Sequence, residues 1–97
     1  MSAYAIIDAL VLDDTHYEEY RRIARETILQ FGGRYVARGL PEVLEGSWPS
    51  SQRAVLLEFP SVERIKEWYS STEYAVAKKL REGAMDVRLI VLEAAPA

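Results

Sequence analysis

Two acidic side chains stand in segments where an acid is costly. Asp8 interrupts the run Tyr4-Ala-Ile-Ile-Asp-Ala-Leu-Val-Leu12, and Glu58 interrupts Arg53-Ala-Val-Leu-Leu-Glu-Phe59. A carboxylate in apolar surroundings must be paired or neutralised. If Asp8 and Glu58 line a cleft, burial raises their pKa values toward the range useful for proton transfer, and they become the candidate catalytic residues. Arg38, Arg53 and Arg88 lie in other strand-like segments, so structural ion pairs, or a water-filled interior, explain the same two acids without chemistry.

A second set has the types that hold a small molecule. Arg38 can anchor an anionic or carbonyl oxygen. Trp48 lies in the loop Gly46-Ser-Trp-Pro-Ser-Ser51, where a large aromatic needs a surface to cover, either a cleft mouth or a partner chain. Arg38 and Glu45 flank the same hairpin, and with Trp48 they would make the polar and aromatic rim of a pocket; a plain hairpin ion pair is the alternative. Tyr69 and Tyr74 offer hydroxyls and flat apolar faces to a ligand, against a simple role in packing helices on a sheet, which is the reading for Trp68.

Other chemistry is excluded or poorly supplied. His16 is the only histidine and cysteine is absent, so no multi-histidine or thiolate metal site can be built from one chain, and no metal or cofactor is expected. His16 falls in the first turn of a helix and reads as solvated. There is no Ser/His/Asp set and no phosphate-binding glycine loop. Twelve basic against fifteen acidic residues give 12 − 15 = −3, scattered rather than blocked, which removes the electrostatic footprint of a nucleic-acid partner. No apolar stretch is long enough to span a bilayer. The start, Met1-Ser-Ala-Tyr4, lacks a basic, signal-like run, and a cytoplasmic location is expected.

The elements that must position these residues follow from periodicity and breakers. Residues 4–12 are apolar at both parities, as in a strand buried on two faces. Asp13-Asp14-Thr15 can cap a first helix, along which Tyr17, Tyr20, Ala24, Thr27/Ile28 and Phe31 form one stripe, and Gly32-Gly33 stops it. Arg34–Arg38 is a short strand, Glu42–Glu45 a possible short edge strand, and residues 46–51 a loop. Arg53–Phe59 is a further strand. Ser61 caps a second helix carrying Val62, Ile65, Trp68 and Tyr69 on one side; Ser70-Ser71-Thr72 recaps a third, Glu73–Glu82, with Tyr74, Ala77 and Leu80 inward. A last strand runs over Asp86–Glu93.

At 97 residues with no Pro/Gly/Ser-rich linker, one domain spanning 1–97 is expected. The order of elements is the βαββαβ of a ferredoxin-like split motif, an α+β fold with helices on one face of an antiparallel sheet. The other face should then be polar in a monomer. Instead Tyr4, Ile6, Leu10 and Leu12 oppose Ala5, Ile7, Ala9 and Val11, and Ile90 and Leu92 oppose Val87, Leu89 and Val91. Two apolar faces predict a homodimer joined through its sheets or sharing a barrel.

The chain also resembles a bacterial family, the domain of unknown function 1330, within the dimeric α+β barrel superfamily. The resemblance covers nearly the whole chain. It rests on Tyr17-Glu-Glu-Tyr20, Gly32-Gly-Arg34, Ala37-Arg-Gly39, Leu44-Glu-Gly46 with Trp48, Leu57-Glu-Phe-Pro-Ser61, and Trp68-Tyr-Ser-Ser71 leading to Glu73-Tyr74. It implies a ferredoxin-like homodimer and supplies no reaction. Members of the family usually carry a second glycine where this chain has Leu40-Pro41, which implies a differently shaped turn after Arg38. The wider superfamily includes cofactor-independent and haem-degrading monooxygenases, a lactone isomerase and ligand sensors, commonly with a cleft between sheet and helices. Two expectations follow: a small-molecule-binding homodimer that is a cofactor-independent enzyme on a small, partly apolar metabolite, or a non-enzymatic ligand-sensing or interaction module.

Overall fold

The computed structural model describes residues 2–96. Its elements are β1 (Ala3–Val11), α1 (Asp14–Gln30), β2 (Arg34–Gly39), β3 (Arg53–Phe59), α2 (Val62–Tyr69), α3 (Thr72–Leu80) and β4 (Met85–Glu93). The strands form one sheet in the order β2-β3-β1-β4, antiparallel at every pairing. This is the expected ferredoxin-like α+β arrangement.

Local chemistry sets the helix boundaries. Asp13 accepts a hydrogen bond from the Thr15 amide, Ser61 from that of Arg64 and Ser71 from that of Tyr74, each satisfying an amide that the first turn leaves free. At the end of α1 the Gly33 amide bonds Ile28 and the Gly32 amide bonds Leu29. With Gly32 at a φ of 83°, this is the paired bonding of a Schellman cap.

The core lies between the sheet and the three helices. The inner strand β1 offers Ala3, Ala5 and Ile7 on that face, and its two small alanines leave room for Ile28, Ile65, Trp68, Tyr74 and Ala77 from the helices beside Leu57 and Phe59 from β3. Trp68 is fully buried, its ring centroid 4.3 Å from that of Tyr74 and 5.3 Å from that of Phe59. Its indole N–H donates to the Thr27 hydroxyl at 3.0 Å, which in turn donates to the Ala24 carbonyl at 2.8 Å. Burying a tryptophan requires such a partner for its N–H.

Residues Glu42–Glu45 form no strand: the whole segment 40–52 is loop and bend. Pro41 offers no amide for a ladder, and Leu44 is 98% exposed, so no surface of the same chain gives the segment something to pack on. The remaining boundaries shift by one or two residues.

The face away from the helices stays uncovered. Tyr4, Ile6 and Leu10 of β1 share it with Leu56 of β3 and Ile90 and Leu92 of β4, and Ile90 and Leu92 are more than half exposed. Among the described residues, no helix is long and apolar enough to cross a membrane.

Candidate functional site

Between α1 and the sheet, the core is not filled. Ala24 on the helix and Ala9 on β1 are too small to close the gap, and a cavity of about 310 Å³ remains. Its apolar part is made by Ile7, Ile28, Val55, Leu57, Trp68 and Val87. The polar lining side chains are three tyrosines, Tyr17, Tyr20 and Tyr35, and three arginines, Arg21, Arg38 and Arg53. No carboxylate, imidazole or thiol lines it.

Each polar side chain is aimed by a local feature of the chain. On α1, Tyr17, Tyr20, Arg21 and Ala24 fall within one helical stripe, because residues three and four apart share a face. Arg53 lies opposite Ala9 in the register of β1 and β3, hence on the helix side of the sheet. On β2, Tyr35 lies opposite Leu57 and Arg38 opposite Val55, with the pairing shifted between Tyr35 and Ala37. Residues three apart on a regular strand point to opposite faces. The bulge at Val36 absorbs one residue and turns both Tyr35 and Arg38 toward the helices, as bulges commonly re-aim a side chain.

The guanidiniums rest on rings. Arg53 lies 4.8 Å from the Tyr17 ring centroid, and Arg38 lies 5.6 Å from that of Tyr35. Cation–π contact holds a guanidinium in place while leaving its N–H donors unused. Among the described residues, neither Arg38 nor Arg53 forms an ion pair, whereas Arg21 pairs with Glu18 at 3.7 Å. Burial raises the pKa of the Tyr35 phenol above its usual value, with the neighbouring Tyr20 adding to the effect, so its hydroxyl retains a proton that it can donate.

Tyr74 does not line the cavity. It lies one layer behind, fully buried, its hydroxyl 2.8 Å from that of Tyr20 and accepting from Arg81 at 3.2 Å. Burial, first of all, pushes its phenol far above the usual range. Tyr69 is 41% exposed and borders a separate groove by Ile65, Lys66 and Leu89; the Lys78 ammonium sits 4.1 Å from its ring centroid.

The hairpin residues divide. Arg38 reaches the cavity. Trp48 does not line it; its indole N–H donates to the Gln52 carbonyl at 2.8 Å, pinning the base of the loop. Glu45 is exposed in the loop and forms no ion pair among the described residues, so the alternative of an Arg38–Glu45 pair is not what the structure shows.

Asp8 and Glu58 lie on the uncovered face and do not line the cavity. Asp8 stands opposite Arg88 in the register and takes two bonds from it, Arg88 Nε to Oδ1 and Nη2 to Oδ2, both at 3.0 Å. Gln52 donates to the same carboxylate at 2.7 Å. Glu58 pairs at 2.6 Å with Arg34, which is opposite it on β2, rather than with Arg38, Arg53 or Arg88. Hydrogen bonds from Ser2 and Arg34 hold its carboxyl below the usual range. His16 lies 3.6 Å from Asp13 at the exposed start of α1.

Tyr17, Tyr20, Arg21, Tyr35 and Arg53 were not singled out as ligand residues in the sequence. The signal available was arithmetic: the pairing Ala9–Arg53 puts an arginine on the apolar side, and one unmatched residue in β2 is needed for Tyr35 and Arg38 to share a face.

Among known proteins, the profile of a family described as a domain of unknown function (DUF1330) matches residues 2–95. No curated protein matches the sequence. Among solved structures, a protein of unknown function from Rhodopseudomonas palustris superposes with a TM-score of 0.74 at 22% identity, over 99% of this chain and 85% of that one. SnoaB, a cofactor-independent oxygenase from Streptomyces nogalater, superposes with a TM-score of 0.72 at 6% identity, over 99% of this chain and 95% of SnoaB. A dimeric ferredoxin-like protein of unknown function from Bacteroides fragilis superposes with a TM-score of 0.60 at 16% identity, over 96% of each chain. At such identities the likeness is one of fold.

Proposed function

The chain belongs to the DUF1330 family, and from that membership and the lining of the cavity we propose that it is a homodimer that binds a small, partly apolar anion between α1 and the sheet. The observation that carries this reading is the imbalance of the lining: three arginines and three tyrosines, in an otherwise apolar cavity, with no carboxylate among them. Guanidiniums with unused donors in partly dehydrated surroundings bind an anionic oxygen more strongly than they would in water. The apolar wall of Ile28, Leu57 and Trp68 takes the rest of the molecule.

The chemistry such a lining favours is stabilisation of negative charge on a bound oxygen, as in an enolate or phenolate. The fold neighbour SnoaB is described as a cofactor-independent oxygenase, which accords with turnover of that kind. One feature favours the second reading, a ligand sensor without turnover: the lining holds no carboxylate, imidazole or thiol to act as general base. Asp8 and Glu58, paired on the far face, serve in this reading to align two sheets. The dimer is supported by the exposed Ile90 and Leu92 and by a fold neighbour described as dimeric.

The test is titration calorimetry with a set of aromatic and branched carboxylates and their neutral amides. Arg38→Met and Arg53→Met keep the apolar stem and remove the charge. Losing a charge-assisted hydrogen bond costs about 1.5–3 kcal/mol, so each should weaken carboxylate binding roughly 10- to 150-fold and leave the amides unaffected. Carboxylate affinity unchanged in both variants would refute the anion site.

A further inference from the structure

We infer that Arg81 and Tyr74, neither of which lines the cavity, hold the Tyr20 hydroxyl as a hydrogen-bond donor to the ligand, and that the ligand therefore carries an accepting oxygen, such as a carbonyl, besides its anionic group. This rests on the anion-binding reading of the cavity and narrows it to a class of oxo acids.

The argument follows the hydrogens. A guanidinium has donors only, so the Arg81 Nη1 contact at 3.2 Å occupies a lone pair of the Tyr74 oxygen. Tyr74 is fully buried, and a buried hydroxyl hydrogen without an acceptor is costly. Among the described residues, the acceptor within reach is the Tyr20 oxygen at 2.8 Å. Tyr74 therefore donates to Tyr20, and Tyr20 spends a lone pair rather than its hydrogen on that contact. Its own hydrogen has no acceptor among the described residues, and Tyr20 lines the cavity. A ligand oxygen there completes the chain from Arg81 through Tyr74 to Tyr20.

A further observation agrees. Arg81 also lies 5.9 Å from the Tyr20 ring centroid, and a cation at the head of a hydrogen-bond chain polarises each later donor. Arg38 and Arg53 belong to the sheet wall and Tyr20 to the helix wall. The ligand thus spans the cavity, with its anionic group at the sheet, an accepting oxygen at α1 and an apolar body against Ile28 and Trp68.

Tyr74 and Arg81 are positioning residues, and their test reads selectivity rather than affinity alone. Three matched probes suit calorimetry: phenylbutanoate, benzoylpropanoate, which adds a carbonyl, and the corresponding hydroxy acid, which adds a donor. Wild-type protein should prefer benzoylpropanoate to phenylbutanoate by about five- to tenfold, the worth of one added hydrogen bond. Tyr20→Phe should erase that preference by weakening benzoylpropanoate more than phenylbutanoate. Arg81→Met takes away the cation that polarises the chain but leaves Tyr74 donating to Tyr20, so the carbonyl preference should shrink without changing sign. Tyr74→Phe leaves the Tyr20 oxygen free to accept as well as donate, so the hydroxy acid should gain on benzoylpropanoate. A carbonyl preference that survives Tyr20→Phe, or equal changes for all three acids in Tyr74→Phe, would overturn the inference. If all three bind alike and Arg53→Met releases all three, the anion site stands and the inference alone fails. If none binds, the anion site is refuted and the inference falls with it.

Discussion

Gly33 is adjacent to a cap glycine but has a different duty, and replacing it isolates that duty. A Cβ placed on Gly33 would lie 2.6–2.8 Å from three ring atoms of Phe59, against the 3.5–4.0 Å of ordinary carbon contact. The ring would have to retreat by about 1 Å. It has nowhere to go: Phe59 is 1% exposed and already packs on Trp68, which is itself a wall of the cavity. Overpacking of this kind costs about 1–3 kcal/mol. The backbone of Gly33 is not left-handed, so alanine also gains about 0.4–1 kcal/mol by restricting the unfolded chain. The net loss in Gly33→Ala is about 1.3 kcal/mol at the midpoints of the two ranges, a fall in Tm of roughly 5–10 °C for a domain of this size.

The assay is thermal and urea unfolding at fixed protein concentration, since association makes Tm concentration-dependent. A double-mutant cycle assigns the cause. Leucine at position 59 lacks the three ring atoms concerned, so in a Phe59→Leu background Gly33→Ala should become neutral or mildly stabilising, with a coupling equal to the overpacking cost of about 1–3 kcal/mol. Gly32 is the control. Its added Cβ meets nothing closer than 3.5 Å, and its cost is conformational, so Gly32→Asn should be tolerated better than Gly32→Ala and neither should respond to Phe59→Leu. Additive behaviour of Gly33→Ala and Phe59→Leu would refute the steric account.

Thr27→Val leaves the buried indole N–H of Trp68 without its acceptor and should cost about 1–3 kcal/mol by urea unfolding; a smaller loss would mean that the Trp68 contact is dispensable. Glu58 has a depressed pKa in the folded state, so its stabilising contribution is complete above its ordinary value near 4.5 and is lost as pH falls through the lower folded value. Glu58→Gln should therefore flatten the acid limb of the stability profile below about pH 4.5 and change little at neutral pH beyond a constant offset; an unchanged acid limb would refute the link. Ile90→Arg places a charge on the uncovered sheet face and should convert a dimer to a species of the 11.0 kDa chain mass in sedimentation velocity, while a wild-type monomer at micromolar concentration would remove the dimer altogether.

Most of the fold was legible because it is written in local signals. Asp13, Ser61 and Ser71 are caps, Gly32 is a left-handed stop, and both parities of β1 are apolar. The exception, Glu42–Glu45, has the composition of a short strand and no neighbour within the chain to pair with; pairing is a property of the tertiary structure. The site was legible only at Arg38, which its place beside the hairpin marks. Tyr17 and Tyr20 match a core stripe; that they border empty volume depends on Ala9 and Ala24 both lining the helix–sheet gap, which no one-dimensional pattern records. Tyr35 was hidden by the bulge at Val36, since strict alternation sets Tyr35 and Arg38 on opposite faces.

The arginines of the sheet explain why the acids and the cavity are apart. On the uncovered face Asp8 stands directly across a strand pair from Arg88 and Glu58 from Arg34, so these charges are matched within one chain before any second copy arrives, whereas Asp86 at the end of β4 stands opposite Leu10. The two pairs can be covered without stranding their charges, and they penalise packings that would separate them. On the helix face, Arg38 and Arg53 have no acid opposite: their cross-strand neighbours are Val55 and Ala9. They are held instead on the rings of Tyr35 and Tyr17, which orient a guanidinium without neutralising it. The same residue type is thus compensated where a partner chain would bury it and left uncompensated beside a cavity, and the group that would balance the second pair is an anion entering that cavity.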